Sequence, residues 1–166
     1  MLRLILALLV ALLATPAIAQ EAPQATDVTS ADIQTFIDAL PRDRVSDRPI
    51  RVVEVTGDYR VGVYGVFRPK GLPAGANSHE VNTTEIYYMV EGAATLVTGG
   101  TLRPPGPAIE GTSARSPGID GGLSRRVTKG DVVIIPGHTP HWWSELETDI
   151  EYLIFRPDPD NRLPLK

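Results

Sequence analysis

The segment GDVVIIPGHTPHWWSE, residues 130–145, holds two of the three histidines in a chain of 166 residues. It reads as a strand over 131–135, a turn carrying Pro136 and Gly137, and a second strand over 140–144. The third histidine lies upstream in SHEVNTTEIYYMVEG, residues 78–92, where a strand is predicted over 84–91. Both stretches put histidine beside short extended runs closed by glycine or proline. Whether they meet in one site depends on the fold that joins them.

Further out from these stretches, IRVVEVTGDYRVGVYGVFRP, residues 50–69, alternates β-branched or aromatic residues with polar residues or glycine. Gly57 and Asp58 divide it into the two arms of a hairpin. Further strands are predicted over 93–98, 123–128 and 150–155. Many short strands separated by turn residues, with little helix, predict an all-β antiparallel sandwich or barrel. The exception is TSADIQTFIDALP, residues 29–41, where Thr29 caps a short helix, Asp32 follows three residues on and Pro41 ends it. Ile33, Phe36, Ile37 and Leu40 recur at helical spacing, so this helix should lie as a strap across a sheet. The segment 99–122 is crowded with glycine, proline and serine and carries Arg103 and Arg115. It is either an exposed elaboration of a hairpin or a lid over a pocket. The polar, proline-rich end of the chain, 157–166, is expected to lie on the surface or fray.

Residues 1–19 have the layout of a signal peptide: Arg3, an unbroken apolar run in LILALLVALL, and small residues at Ala17 and Ala19. The run is shorter than the roughly 20 residues that cross a bilayer, so a periplasmic or secreted protein with no membrane contact after cleavage is expected. There is no cysteine, which excludes disulfides. Removing Arg3 with the leader moves the formal charge from −4 to −5, spread without acidic or basic blocks. Such a surface offers nothing to nucleic acid and leaves a small molecule as the natural ligand. The expected organisation is a lead and helix over 20–49, one barrel over 50–156, and a tail.

The two histidine stretches resemble the paired motifs of the cupin superfamily. In the first, Glu85 and Gly92 stand at the family spacing, with His79 upstream; in the second, Gly130, Pro136 and His141 fall in place. The resemblance implies a double-stranded β-helix, or jelly-roll barrel, with a short helix added at its N-terminal side. It also implies that His79, Glu85 and His141 point into the barrel as ligands of one divalent transition metal: iron, manganese, nickel or zinc. The family pattern has a second histidine two residues after the first, where this chain has Val81.

Strand parity is compatible with that set, because side chains on one face lie an even number of residues apart, as 79, 81, 83 and 85 do. Two imidazoles and a carboxylate can occupy one face of a six-coordinate ion and leave positions open. His138, where the motif usually has a turn glycine, is either a replacement ligand or an exposed turn residue. The same parity turns Tyr87, Met89 and Trp143 inward: Tyr87 as an acid or hydrogen-bond donor, Trp143 and Met89 as substrate contacts or core. Trp142 should face outward, under the helix or at a subunit contact. Tyr64 and one of Arg125 and Arg126 are further candidates for the cavity, an arginine there suiting a carboxylate substrate.

Two functions follow. The first is a metal-dependent enzyme acting on a small organic molecule, with dioxygenase, isomerase or lyase chemistry implied by the family. The second is a non-catalytic barrel, with no metal or with a closed metal site, that holds a small ligand such as a sugar or carboxylate. The family commonly forms dimers through barrel edges, so a homodimer is also expected.

Overall fold

The alternating pattern is realised as antiparallel strands behind one helix in a computed structural model that describes residues 24–55, 58–72, 75–79, 82–105 and 116–166. The leader segment, Val81, and the middle of the 99–122 segment with Arg115 lie outside the described residues.

Helix α1 (Ser30–Asp38) begins with a reciprocal cap: the Thr29 side chain accepts from the Asp32 amide, and the Asp32 carboxylate accepts from the Thr29 amide, each at 3.2 Å. Its apolar face crosses strand β2 (Tyr59–Arg68), with Ile37 and Leu40 buried. Gly65 makes the fit, since a Cβ there would stand 2.9 Å from the Phe36 ring. The expected strap is therefore present, and its seat is a glycine.

The remaining strands are β1 (Ser46–Val55), β3 (Glu85–Glu91), β4 (Ala93–Thr98), β5 (Thr101–Leu102), β6 (Ile119–Asp120), β7 (Leu123–Thr128), β8 (Val132–Ile135), β9 (His141–Leu146) and β10 (Ile150–Asp158). A five-stranded sheet runs β1-β2-β10-β3-β8, and a three-stranded sheet runs β7-β4-β9. Their inner faces share one core, in which Val66, Met89 and Tyr152 from the larger sheet meet Ala94, Leu96 and Trp143 from the smaller. Each side chain as buried as Leu96 contributes about 1.5–3 kcal/mol. The result is the cupin-like jelly-roll barrel, open at the end where β3 and β9 begin.

Two expectations are revised, the bounds of the barrel and the seat of Trp142. The barrel reaches past 50–156 at both ends: β1 starts at Ser46 and β10 continues to Asp158. Pro49 is tolerated because β1 is an edge strand and the ladder shifts register between Pro49 and Arg51. The end of the chain lies on the surface, the first of its two expected states, and is tied down there rather than frayed. The Val52 amide donates to the Lys166 carbonyl at 3.0 Å, the return bond is 3.1 Å, and the Leu163 amide donates to buried Asp158 at 2.7 Å. The 99–122 segment, where described, starts and ends as a small two-stranded hairpin pairing Leu102 with Ile119. Trp142, expected under the helix or at a subunit contact, is not under the helix and packs with Ala76, Val97, Leu102 and Ile119 beneath that hairpin.

Candidate metal centre

Glu85 opens β3 in the larger sheet, and its parity turns it inward with Tyr87 and Met89. His141 opens β9 in the smaller sheet and faces inward with Trp143. The carboxylate and this imidazole thus approach from opposite sheets. His79 belongs to the segment before β3, but that segment is fastened to the smaller sheet. The Asn77 amide donates to the His141 carbonyl at 2.9 Å, and the His141 amide donates back at 2.8 Å.

One ligand atom from each of His79, Glu85 and His141 lies within 4.8 Å of the others. His79 Nε2 is 3.0 Å from Glu85 Oε1, and His141 Nε2 is 3.6 Å from Glu85 Oε2. His141 Nδ1 lies 3.0 Å from the Thr139 carbonyl oxygen. A carbonyl only accepts, so Nδ1 carries the proton and the Nε2 lone pair faces the carboxylate. Two lone-pair atoms 3.6 Å apart with no proton between them are the donor arrangement that a cation bridges. The chemistry of the donor set therefore fits a divalent metal.

Glu85 is 1% exposed yet ionised. Burial alone would raise its pKa. The bond with His79, the Arg156 guanidinium and the nearby His141 outweigh that and hold it well below the usual carboxylate range. Arg156 donates to Glu85 Oε1 at 2.7 Å and to Asp47 at 2.7 Å, with its guanidinium 4.0 Å above the Tyr64 ring. The Tyr87 hydroxyl donates to Glu85 Oε2 at 2.7 Å. Burial, then the Glu85 charge, pushes the Tyr87 phenol well above its ordinary pKa, so it stays protonated. Burial lowers the pKa of His141, partly opposed by Glu85, which favours its neutral, ligating form.

The three clustered residues line a cavity of about 390 Å³ together with Arg68, Tyr87, Trp143, Tyr152 and Arg156. Tyr87 and Trp143 stack at 6.0 Å, and both rings pack on Tyr152 at 4.9 and 5.5 Å.

Other sequence-predicted residues fall elsewhere. His138 is exposed in the turn after β8 at φ 63° and is not part of the His79–Glu85–His141 cluster. It takes the left-handed conformation that explains the glycine in the motif. Met89 is wholly buried in the core between the sheets, away from the cavity wall. Tyr64 faces inward but lies beneath Arg156. Arg125 and Arg126 are both exposed, Arg126 pairing with Glu147 at 2.6 Å. The arginine expected in the cavity is instead supplied by Arg68 and Arg156. Their signal was present in the parity that sets Tyr64, Val66 and Arg68 on one face of β2, and Tyr152, Ile154 and Arg156 on one face of β10.

No protein-family profile and no curated protein sequence matches the chain. Among solved structures it is similar to BH2720 from Bacillus halodurans, with a TM-score of 0.51 and 15% identity over 85% of this chain and 86% of that one. It is also similar to DMSP lyase DddQ from Ruegeria pomeroyi DSS-3, with a TM-score of 0.49 and 15% identity over 86% and 79% of the two chains. A third is an RmlC-like cupin family protein with a double-stranded β-helix fold from Methanocaldococcus jannaschii, with a TM-score of 0.43 and 14% identity over 72% and 88%. At 15% identity, the likeness to BH2720 speaks for the fold alone.

Proposed function

We propose that this protein is a metal-dependent enzyme of cupin type. In this reading it holds one divalent transition metal through His79, Glu85 and His141 and acts on a small organic molecule inside the barrel. The observation that carries it is the convergence of two imidazoles and an ionised carboxylate, drawn from both sheets, in the lining of a cavity. When bound with open positions, such a metal polarises a carbonyl or enolate oxygen or binds dioxygen, which covers isomerase, lyase and dioxygenase chemistry. The chain's own groups do the rest. Arg156 and Tyr87 keep Glu85 ionised and oriented, the Thr139 carbonyl fixes the His141 tautomer, and Trp143 and Tyr152 wall off an apolar flank from water.

A second reading, a metal-free binding barrel, has one specific observation in its favour. Glu85 already receives Arg156, Tyr87 and His79, so the cluster also closes as a hydrogen-bonded network. Metal content separates the two. Untagged protein should carry near one equivalent of iron, manganese, nickel or zinc, lost in His141→Ala. An absence of metal after reconstitution with each ion would leave the binding barrel. The apolar N-terminal run supports export, and exposed Tyr88, Val132 and Ile134 along the β8 edge support a homodimer.

A further inference from the structure

Arg68 is the last residue of β2 and faces inward on the wall of the cavity. Its Nε donates to the Tyr152 hydroxyl oxygen at 2.8 Å, which fixes the plane of the guanidinium. The same oxygen also accepts from Trp143 Nε1 at 3.2 Å. With two donors already on its oxygen, Tyr152 must direct its own O–H elsewhere, and among the described residues nothing accepts it. The terminal nitrogens of Arg68 likewise have no acceptor among the described residues. The carboxylate nearest in effect, Asp47, is committed to Arg156 at 2.7 Å. Burial pushes the Tyr152 phenol up, with Arg68 opposing, so it remains a donor.

A charged fork thus stands in the wall of the cavity with its terminal nitrogens lacking an acceptor, held in place by Tyr152, which is itself fully buried. Five-donor guanidinium groups pair bidentately with planar oxyanions, and a partly buried cation left without a counter-charge is costly. From this geometry we infer that Arg68, positioned by Tyr152, forms an oxyanion subsite that takes the carboxylate of a small organic acid. This deepens the metalloenzyme reading and rests on it in one respect: it takes the metal to be where the rest of that acid reacts. Tyr152 packs on Tyr87, whose hydroxyl holds Glu85, and Tyr87 lies edge-on to His141 at 6.4 Å. An acid anchored at Arg68 therefore extends along this aromatic wall toward the His79–Glu85–His141 cluster. The cavity of about 390 Å³ restricts it to a compact molecule.

The anchor is tested without metal, so that its outcome is independent of metal loading. Protein stripped with EDTA is titrated calorimetrically, and by tryptophan fluorescence, with propionate, malonate and benzoate beside propionamide and benzamide. At least one carboxylate should bind, and its amide should bind about tenfold or more weakly. Arg68→Gln should lose the carboxylate preference, and Tyr152→Phe should weaken carboxylate binding several-fold while leaving the amide unchanged. Metal content of Arg68→Gln should equal that of wild type, which separates loss of the anchor from loss of the metal site. Equal binding of acid and amide, or a carboxylate preference undiminished in both variants, overturns the inference. If Arg68→Gln fails to fold, Tyr152→Phe decides it alone.

Discussion

Replacing Arg156 with methionine should expose how the carboxylate of the site is kept charged. Arg156 has 11% of its side chain exposed and Glu85 2%, so the pair is largely withdrawn from solvent. Breaking a buried ion pair from one side costs about 3–5 kcal/mol, because the orphaned charge stays buried. Glu85 would keep the Tyr87 hydroxyl and His79, so the lower end, about 3 kcal/mol, is expected for Arg156→Met. At about 2–4 °C per kcal/mol for a domain of this size, the melting temperature falls by about 6–12 °C. In a Glu85→Gln background the loss is confined to a bond to the neutral amide oxygen, the Asp47 contact and the packing on Tyr64, and the cost shrinks to about 1 kcal/mol, a coupling of about 2 kcal/mol. The pH dependence has a definite sign. Glu85 in the wild type sits below its unfolded pKa of about 4.3, so its contribution is present above that pH and is lost only as pH falls through the depressed value. Without Arg156, burial lifts the folded pKa, and the variant recovers stability as Glu85 takes up a proton. The gap between wild type and variant should therefore narrow from pH 7 to about pH 4.5. Urea denaturation in EDTA at both pH values measures it. Additive single and double variants, with a gap unchanged by pH, would refute the account.

Other outcomes are equally specific. His138→Gly relieves a left-handed residue outside the cluster, so metal content should be unchanged and stability should stay within about 1 kcal/mol of wild type; a loss of metal would make His138 a ligand. Gly92→Ala should cost about 3 kcal/mol or more by thermal melting, since Gly92 has φ 89° and an added Cβ would collide with the Asp149 carbonyl oxygen. Tyr87→Phe removes the donor to Glu85 Oε2 and leaves that buried oxygen poorly satisfied, for a loss of about 1–3 kcal/mol in urea denaturation. Metal-free protein should lose stability as pH falls below about 6.5, because the unfolded imidazole takes a proton there while burial keeps folded His141 neutral. That acid loss should be smaller in His141→Gln.

The barrel was legible because period-two alternation and turn residues are local signals: β4 and β7 have the bounds that alternation predicts, and α1 starts at the cap its Thr29 and Asp32 announce. The three candidate ligands were legible through motif spacing. Arg68 and Arg156 were not singled out, although parity along β2 and β10 turns both inward, because placing them at the site also requires the cross-strand register. Arg125 was misplaced because parity selects a face without saying whether that stretch of face is covered. Trp142 shows a further limit: it faces outward from its strand as parity requires, but the hairpin of β5 and β6 folds over it. His138 was ambiguous for the opposite reason, since parity ends at a turn and a positive φ sets its direction.

Both imidazoles ride on the smaller sheet, one within β9 and the other through the paired amides of Asn77 and His141, whereas Glu85 rides on the larger one. An ion coordinated by all three would rivet two halves that are otherwise held by packing and a few side-chain hydrogen bonds, in a chain with no sulfur crosslink to do so. Its binding free energy would then count toward the cohesion of the whole barrel, rising with free ion concentration. Amide exchange would slow together in β3 and β9 as the ion is added, although no backbone hydrogen bond joins those two strands.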